Sequence, residues 1–131
     1  MSPQSNIHAA FEEWLNATQP CEAPRPEDAD LNFRRYGQTS AVLEMESDYL
    51  VLCRIETAPQ QRGQGHANRL LELLIGICDR HQVTLLGQAS AYDDDKGMSQ
   101  DDLFAWYGRH DFEVDRSRTS QTPLVWYPHK P

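Results

Sequence analysis

Apolar side chains recur along this chain with two different periods. Over residues 7–17, Ile7, Ala10, Phe11, Trp14 and Leu15 fall on one face of a 3.6-residue repeat, which predicts a short amphipathic helix. Three prolines between Pro20 and Pro26 then predict a loop. From Leu31 to Ala58 the pattern turns strand-like. Stretches 31–37, 40–47 and 48–58 are rich in β-formers, are punctuated by Gly37 and Ser47-Asp48, and read as antiparallel strands. Residues 63–81 return to the helical period. Ala67, Leu70, Leu71, Leu74, Ile75 and Cys78 line a broad face that Leu73 and Ile77 widen, the pattern of a helix buried against a sheet. A strand over 83–92 and an acidic loop follow. Ser99 and Asp102 have capping-box spacing ahead of a helix over 101–110, and strands over 112–117 and 122–128 close the chain.

This order predicts one α/β (α+β) domain, 1–131, with a helix and proline-rich loop over 1–30 and the sheet beyond. The sheet is mixed and mostly antiparallel, flanked by helices, and the long helix crosses over between two strands. A chain of 131 residues has room for one core of ordinary size.

Composition narrows the function. With 12 Lys+Arg against 20 Asp+Glu the net charge is −8, which argues against a nucleic-acid phosphate footprint and fits a cationic partner. No apolar run approaches the roughly 18–20 residues of a membrane span, so no membrane role is expected. The start lacks the basic and apolar regions of a secretory signal. Cys21, Cys53 and Cys78 are too widely spaced for a zinc site and odd in number for a disulfide framework. A cytoplasmic, metal-free protein is expected.

The segment APQQRGQGHANRLLELL carries the most chemistry. A strand ends at Pro59, Gly63 and Gly65 follow, and a long helix begins. Glycines permit left-handed backbone and close approach of a ligand, and a helix N-terminus offers unpaired N–H groups to an anion. No Lys-Ser or Lys-Thr follows, so this is not a P-loop, and the dinucleotide-binding G-x-G-x-x-G is absent. A strand-to-helix turn that needs glycine for its geometry alone explains the pair equally well.

The same segment resembles motif A of the GNAT family of N-acetyltransferases, Gln/Arg-x-x-Gly-x-Gly/Ala. It does so in two registers, Gln60-Gln61-Arg62-Gly63-Gln64-Gly65 and Arg62-Gly63-Gln64-Gly65-His66-Ala67, with Pro59 before and Leu70-Leu71 after. Leu103, Trp106, Tyr107 and Phe112 match the family's aromatic helix block, with Gln100 at its Asn position and Asp111 in place of its Gly. The closing Leu-Val-Trp-Tyr-Pro resembles the family's last strand. The resemblance spans roughly residues 50–128. The family normally begins with a strand before its first helices, and this sequence offers none.

The resemblance implies a splay between the two central strands, about 50–58 and 83–90, that admits acetyl-CoA. Gln60, Gln61, Arg62, Gly63, Gln64, Gly65, His66 and Ala67 would cradle the pyrophosphate through backbone N–H groups. Ile55 and Thr57 at the strand end, and Gln100, join them as cofactor-binding positions. Backbone donors near Ile55 would polarise the thioester. Tyr107 would protonate the departing thiolate, and Glu56 is the first choice as general base for the amine. Each has a plainer reading: Tyr107 as an aromatic packed beside Trp106, Glu56 as a solvated strand carboxylate. His66 needs only a backbone role, His110 suits a helix C-terminus, and Cys53 reads as an inert thiol. Asp93, Asp94 and Asp95 would attract a cationic acceptor, or form a plain solvated loop ahead of a helix N-terminus.

The expected function is therefore transfer of an acetyl group from acetyl-CoA to a primary amine. The alternative is a non-catalytic module of the same shape, binding acetyl-CoA or a protein partner. Val125, Trp126 and Tyr127 on the two C-terminal strands suggest an apolar edge for a homodimer, and packing against this chain's own helix explains them equally well.

Overall fold

The computed structural model describes residues 3–23, 26–57, 65–87, 100–115 and 124–128. In chain order these form α1 (Pro3–Ala17), β1 (Gln19–Pro20), a 3₁₀ turn (Pro26–Asp28), β2 (Arg34–Tyr36), β3 (Thr39–Met45), β4 (Tyr49–Thr57), α2 (His66–His81), β5 (Thr84–Gly87), α3 (Gln100–Arg109), β6 (Glu113–Val114) and β7 (Leu124–Trp126). The strands make one sheet in the order β1-β2-β3-β4-β5-β7-β6. Every described pair is antiparallel except β4–β5. Parallel neighbours need a crossover, and α2 supplies it, as its apolar face predicts.

The pleat sorts side chains by face. Cross-strand neighbours Ala41 and Ile55, Leu43 and Leu52, Leu50 and Leu85, and Leu85 and Trp126 belong to one hydrophobic cluster. The same cluster takes Ile7, Ala10 and Trp14 from α1, Leu70, Leu71, Leu74, Ile77 and Cys78 from α2, and Leu103, Phe104, Trp106 and Tyr107 from α3. The three helices therefore share one face of the sheet and one core. Polar ties fix the first two. Glu13 of α1 accepts from Arg80 and meets His81 Nε2 at 2.9 Å, and the Arg80 hydrogen bond first, then His81, holds its carboxyl below the usual value. Arg34 of β2 caps the end of α1, donating to the Leu15 and Thr18 carbonyls at 2.9 and 2.8 Å.

Both later helices close in the same way. Phe112 N–H reaches the Tyr107 carbonyl at 3.2 Å and Asp111 N–H the Gly108 carbonyl at 3.2 Å, while Asp111 takes a left-handed φ of 70°. This is a Schellman closure, with Asp111 at the position that favours glycine. Gln82, φ 55°, plays that part after α2, where Val83 N–H bonds the Cys78 carbonyl at 2.9 Å. Left-handed backbone costs an aspartate roughly 1 kcal/mol, partly offset by glycine's larger unfolded entropy. Asp111→Gly is therefore expected to stabilise by about 0.5 kcal/mol and raise Tm by ~2 °C in thermal denaturation. A lower Tm would mean that the Asp111 side chain contributes more than its backbone costs.

Three details differ from the sequence pattern. α1 begins at Pro3 rather than Ile7, since proline suits a first helical turn but leaves no periodic signal. β1 lies inside the expected proline loop and pairs Gln19 with Arg35 and Pro20 with Arg34, a two-residue edge where proline is tolerated. β7 is no edge. It sits between β5 and β6, with Val125 and Trp126 buried in the sheet interior and Tyr127, past the strand's end, exposed. Among the described residues no strand precedes α1, and no described helix is long and apolar enough to cross a membrane.

Candidate functional site

The described residues of the glycine turn begin at Gly65. It caps α2 with φ 81° and no side-chain hydrogen bond, and a Cβ there would meet nothing within 4 Å. The backbone is thus left-handed while the space beside it is open. The first intrahelical bond of α2 runs from Arg69 N–H to the Gly65 carbonyl at 3.1 Å. Helix geometry then leaves His66, Ala67 and Asn68 N–H groups without intrahelical acceptors, and no acidic residue occupies the first turn. The end of a 16-residue helix is electropositive there. Arg69 lies 3.1 Å from His66 Nδ1. A guanidinium only donates, so Nδ1 accepts and the neutral ring carries its proton on Nε2, an atom that is buried without a hydrogen-bond partner among the described residues.

A second feature lies at the far end of the described β4–β5 ladder. This parallel ladder pairs Tyr49 with Thr84 through Leu52 with Gly87, the last described residue of β5. β4 continues over residues 53–57, paired with β3. Just past the last β4–β5 pair the β3–β4 register shifts, with Leu43 opposite Leu52 but Val42 opposite Arg54, which leaves Cys53 as the extra residue of a bulge. The bulge exchanges the faces of everything beyond it. Ile55, opposite Ala41, joins the helix-side core, whereas Glu56, opposite Ser40, points from the other face. Glu56 is half-buried there, and its carbonyl accepts from Ser40 Oγ at 3.4 Å.

Tyr107 closes the site from the helix side. It is 1 % exposed, and its ring stacks edge-on with Trp106 and Phe112, each at 4.9 Å. A Cβ on Gly87 would fall 3.0 Å from Tyr107 Cε1 and 3.1 Å from Cζ, so the hydroxyl end of the ring lies directly on the last described residue of β5. Burial pushes the Tyr107 hydroxyl above its ordinary value, and the charge of a Cys53 thiolate adds to the shift. Burial, then neighbouring Glu44, pushes the Cys53 thiol up to about 12. Both groups hold their protons at neutral pH.

The structure thus brings Gly65, His66 and Ala67 to one helix end. It sets Ile55 beside Tyr107's core and Glu56 across the sheet from it. Thr57 ends β4 and Gln100 opens α3; their side chains lie outside the described set. Gln60, Gln61, Arg62, Gly63, Gln64 and Asp93, Asp94, Asp95 lie outside the described residues. A groove of about 350 Å³ lined by Ala17, Gln19, Arg35, Tyr36, Gly37 and Gln38 lies toward the β1 edge of the sheet and contains none of these residues. No metal-ligating cluster occurs among the described residues. Sequence reading passed over Gly87, although a lone glycine in an apolar strand signals close approach of another group. It also passed over Asn68, whose carbonyl oxygen accepts from Trp106 Nε1 at 2.5 Å and meets His110 Nε2 at 3.2 Å.

No family model matches the sequence, and no curated protein matches it. Among solved structures, the crystal structure of the anti-CRISPR protein AcrVA5 is similar, with a TM-score of 0.58 and 21% identity over 70% of this chain and 93% of that one. At that identity the likeness is one of fold.

Proposed function

We propose that this chain is an N-acetyltransferase that moves an acetyl group from acetyl-CoA to a primary, cationic amine. The observation that carries the reading is the joint placement of two features. One is the left-handed Gly65 heading a helix with no acidic residue in its first turn. The other is the Tyr107 ring packed on Gly87, beside the last described β4–β5 pair. The resemblance of the turn and of the aromatic helix to GNAT motifs supports it.

Acetyl-CoA supplies an activated thioester. The N–H groups of His66, Ala67 and Asn68 suit its pyrophosphate oxygens, and the β4 backbone beyond Leu52 suits the acyl end. The amine nitrogen bonds to the carbonyl carbon, and the carbon–sulfur bond breaks. Tyr107 gives its proton to the leaving sulfur, and Glu56, on the opposite face, receives the proton shed by the ammonium, directly or through water. The products are an amide and the free thiol, and the tyrosinate and protonated carboxyl then exchange protons with solvent. Acid and base on opposite faces suit a thioester lying between the strands, attacked from one side and relieved from the other. Cys21, Cys53 and Cys78 are free thiols, which fits a reducing compartment, and the cytoplasm is the proposed location.

Calorimetric titration with acetyl-CoA tests the reading. The wild-type chain is expected to bind in the micromolar range, about −8 kcal/mol. Gly65→Asp places a side chain on left-handed backbone and a negative charge at the helix end, and should raise Kd by about a hundredfold or more. A folded wild-type chain that does not bind acetyl-CoA would leave the glycine turn a purely structural device and turn the search to protein partners.

A further inference from the structure

Asn68 belongs to two elements of the site at once. Its backbone N–H is the third donor of the open α2 terminus. Its side chain reaches α3, where the amide oxygen accepts from Trp106 Nε1 and lies 3.2 Å from His110 Nε2. An indole N–H only donates, so it is the Asn68 oxygen, not the amide nitrogen, that faces α3, and His110 must present an Nε2 proton to it. Trp106 is 6 % exposed, and a buried indole N–H needs such an acceptor. His110 also stacks edge-on against Trp106 at 5.4 Å. One amide oxygen therefore holds α3 at Trp106, one residue before Tyr107, and the chain just past its end at His110, three residues after Tyr107.

The Tyr107 ring rests on the rings of Trp106 and Phe112 and on Gly87, contacts that bury it and leave its position along the helix direction to be set by something directional. A hydrogen bond to the neighbouring indole supplies that. We propose that Asn68 is a positioning residue: by clasping Trp106 and His110 it fixes the Tyr107 hydroxyl relative to the helix end that would hold the acetyl donor. The inference rests on the acetyltransferase reading, because it assigns Asn68's role in that reaction. Its consequence is a division of labour within one residue. The backbone N–H serves binding and survives any side-chain change, while the side chain serves turnover through Tyr107.

The test is steady-state kinetics of thiol release with acetyl-CoA and an amine that the wild-type chain acetylates. Asn68→Ala is expected to lower kcat about tenfold, with KM for acetyl-CoA within twofold. Asn68→Asp keeps the acceptor oxygen and should restore kcat to within about threefold of wild type. Trp106→Phe keeps an aromatic ring and removes the donor, so it should reproduce the Asn68→Ala loss and serves if that variant does not fold. Added to Tyr107→Phe, Asn68→Ala should cost little more, because both act through one hydroxyl. The indole proton of Trp106, read by ¹H–¹⁵N NMR, should shift in Asn68→Ala and not in Glu72→Ala, a change on an exposed α2 position. A wild-type rate kept by both Asn68→Ala and Trp106→Phe, a rise in KM at constant kcat, or a loss that multiplies fully with Tyr107→Phe each overturns the positioning role while leaving the acetyltransferase reading intact. A wild-type chain that neither binds acetyl-CoA nor turns it over overturns both, and the binding titration identifies that case.

Discussion

Tyr107→Phe is expected to lower kcat for acetyl transfer by about 10²- to 10³-fold while leaving acetyl-CoA binding within about twofold. The substitution deletes one oxygen and keeps the ring. The packing against Trp106 and Phe112, each 4.9 Å away, and the seat on Gly87 are retained, so a loss reports the hydroxyl rather than the fold. Burial, with Cys53 adding to it, raises the pKa of this hydroxyl above the ordinary value of 10. That suits an acid and not a base. The group stays protonated across the working range, and a thiolate leaving into the same dry environment is made more basic by the same desolvation. The sign for pH dependence follows. Wild-type kcat should climb as the acceptor amine loses its proton, and ionisation of Tyr107 should produce no descending limb below about pH 10. Stability carries the same sign. A raised folded value contributes stability that is present below about pH 10 and is lost as pH rises through the folded value, and Tyr107→Phe removes that dependence. A variant with wild-type kcat would make Tyr107 a core aromatic and move the acid elsewhere.

How much of this was legible in the sequence depended on whether the information was periodic. The 3.6-residue spacing of Leu70, Leu71, Leu74 and Cys78 predicts α2, its burial and its crossover role, and all four residues are buried. The residue types around Trp106 and Tyr107 predict α3 to within a residue at either end. The bulge at Cys53 was not legible. Simple alternation from Leu50 and Leu52 would carry Arg54 and Glu56 to the helix side. The one-residue insertion instead turns Ile55 inward and Glu56 outward, and nothing in Leu-Cys-Arg-Ile-Glu marks which residue is extra. Glu56 and Tyr107, the proposed base and acid, therefore fall on opposite faces through a register shift that hydropathy does not encode. Asn68 escaped notice for a related reason. It is an exposed polar residue on a helix, and its importance depends on a partner 38 positions away. Asp111 is the reverse case. Its departure from the family's glycine was visible, and the structure supplies the physics, a left-handed φ of 70° that closes α3.

The last strand left two readings open in the sequence, and Trp126→Ala tests the one the fold favours. An apolar terminal strand read from sequence suggests an edge waiting for a second copy. In the fold, β7 is flanked on both sides: Trp126 pairs with Leu85 and Val125 with both Leu86 and Glu113. The Trp126 side chain is 1 % exposed and joins the cluster that all three helices share. Truncating a buried tryptophan removes its transfer energy and leaves a cavity the neighbouring β-strands cannot close, which costs about 3–5 kcal/mol. For a domain whose total stability is of the order of 5–15 kcal/mol, this is about a fifth or more of the whole. Equilibrium urea unfolding should show the midpoint falling by more than 1 M at unchanged slope, on the basis of about 1–3 kcal/mol per molar. Elution volume on gel filtration should be the same for both proteins at every loading concentration. An edge residue at an interface between copies would behave oppositely. Its loss would cost the monomer less than about 1 kcal/mol and would shift the elution of the wild-type chain relative to the variant. The two outcomes cannot both occur, because a side chain packed against Leu85 and the helix layer has no surface left to offer a partner.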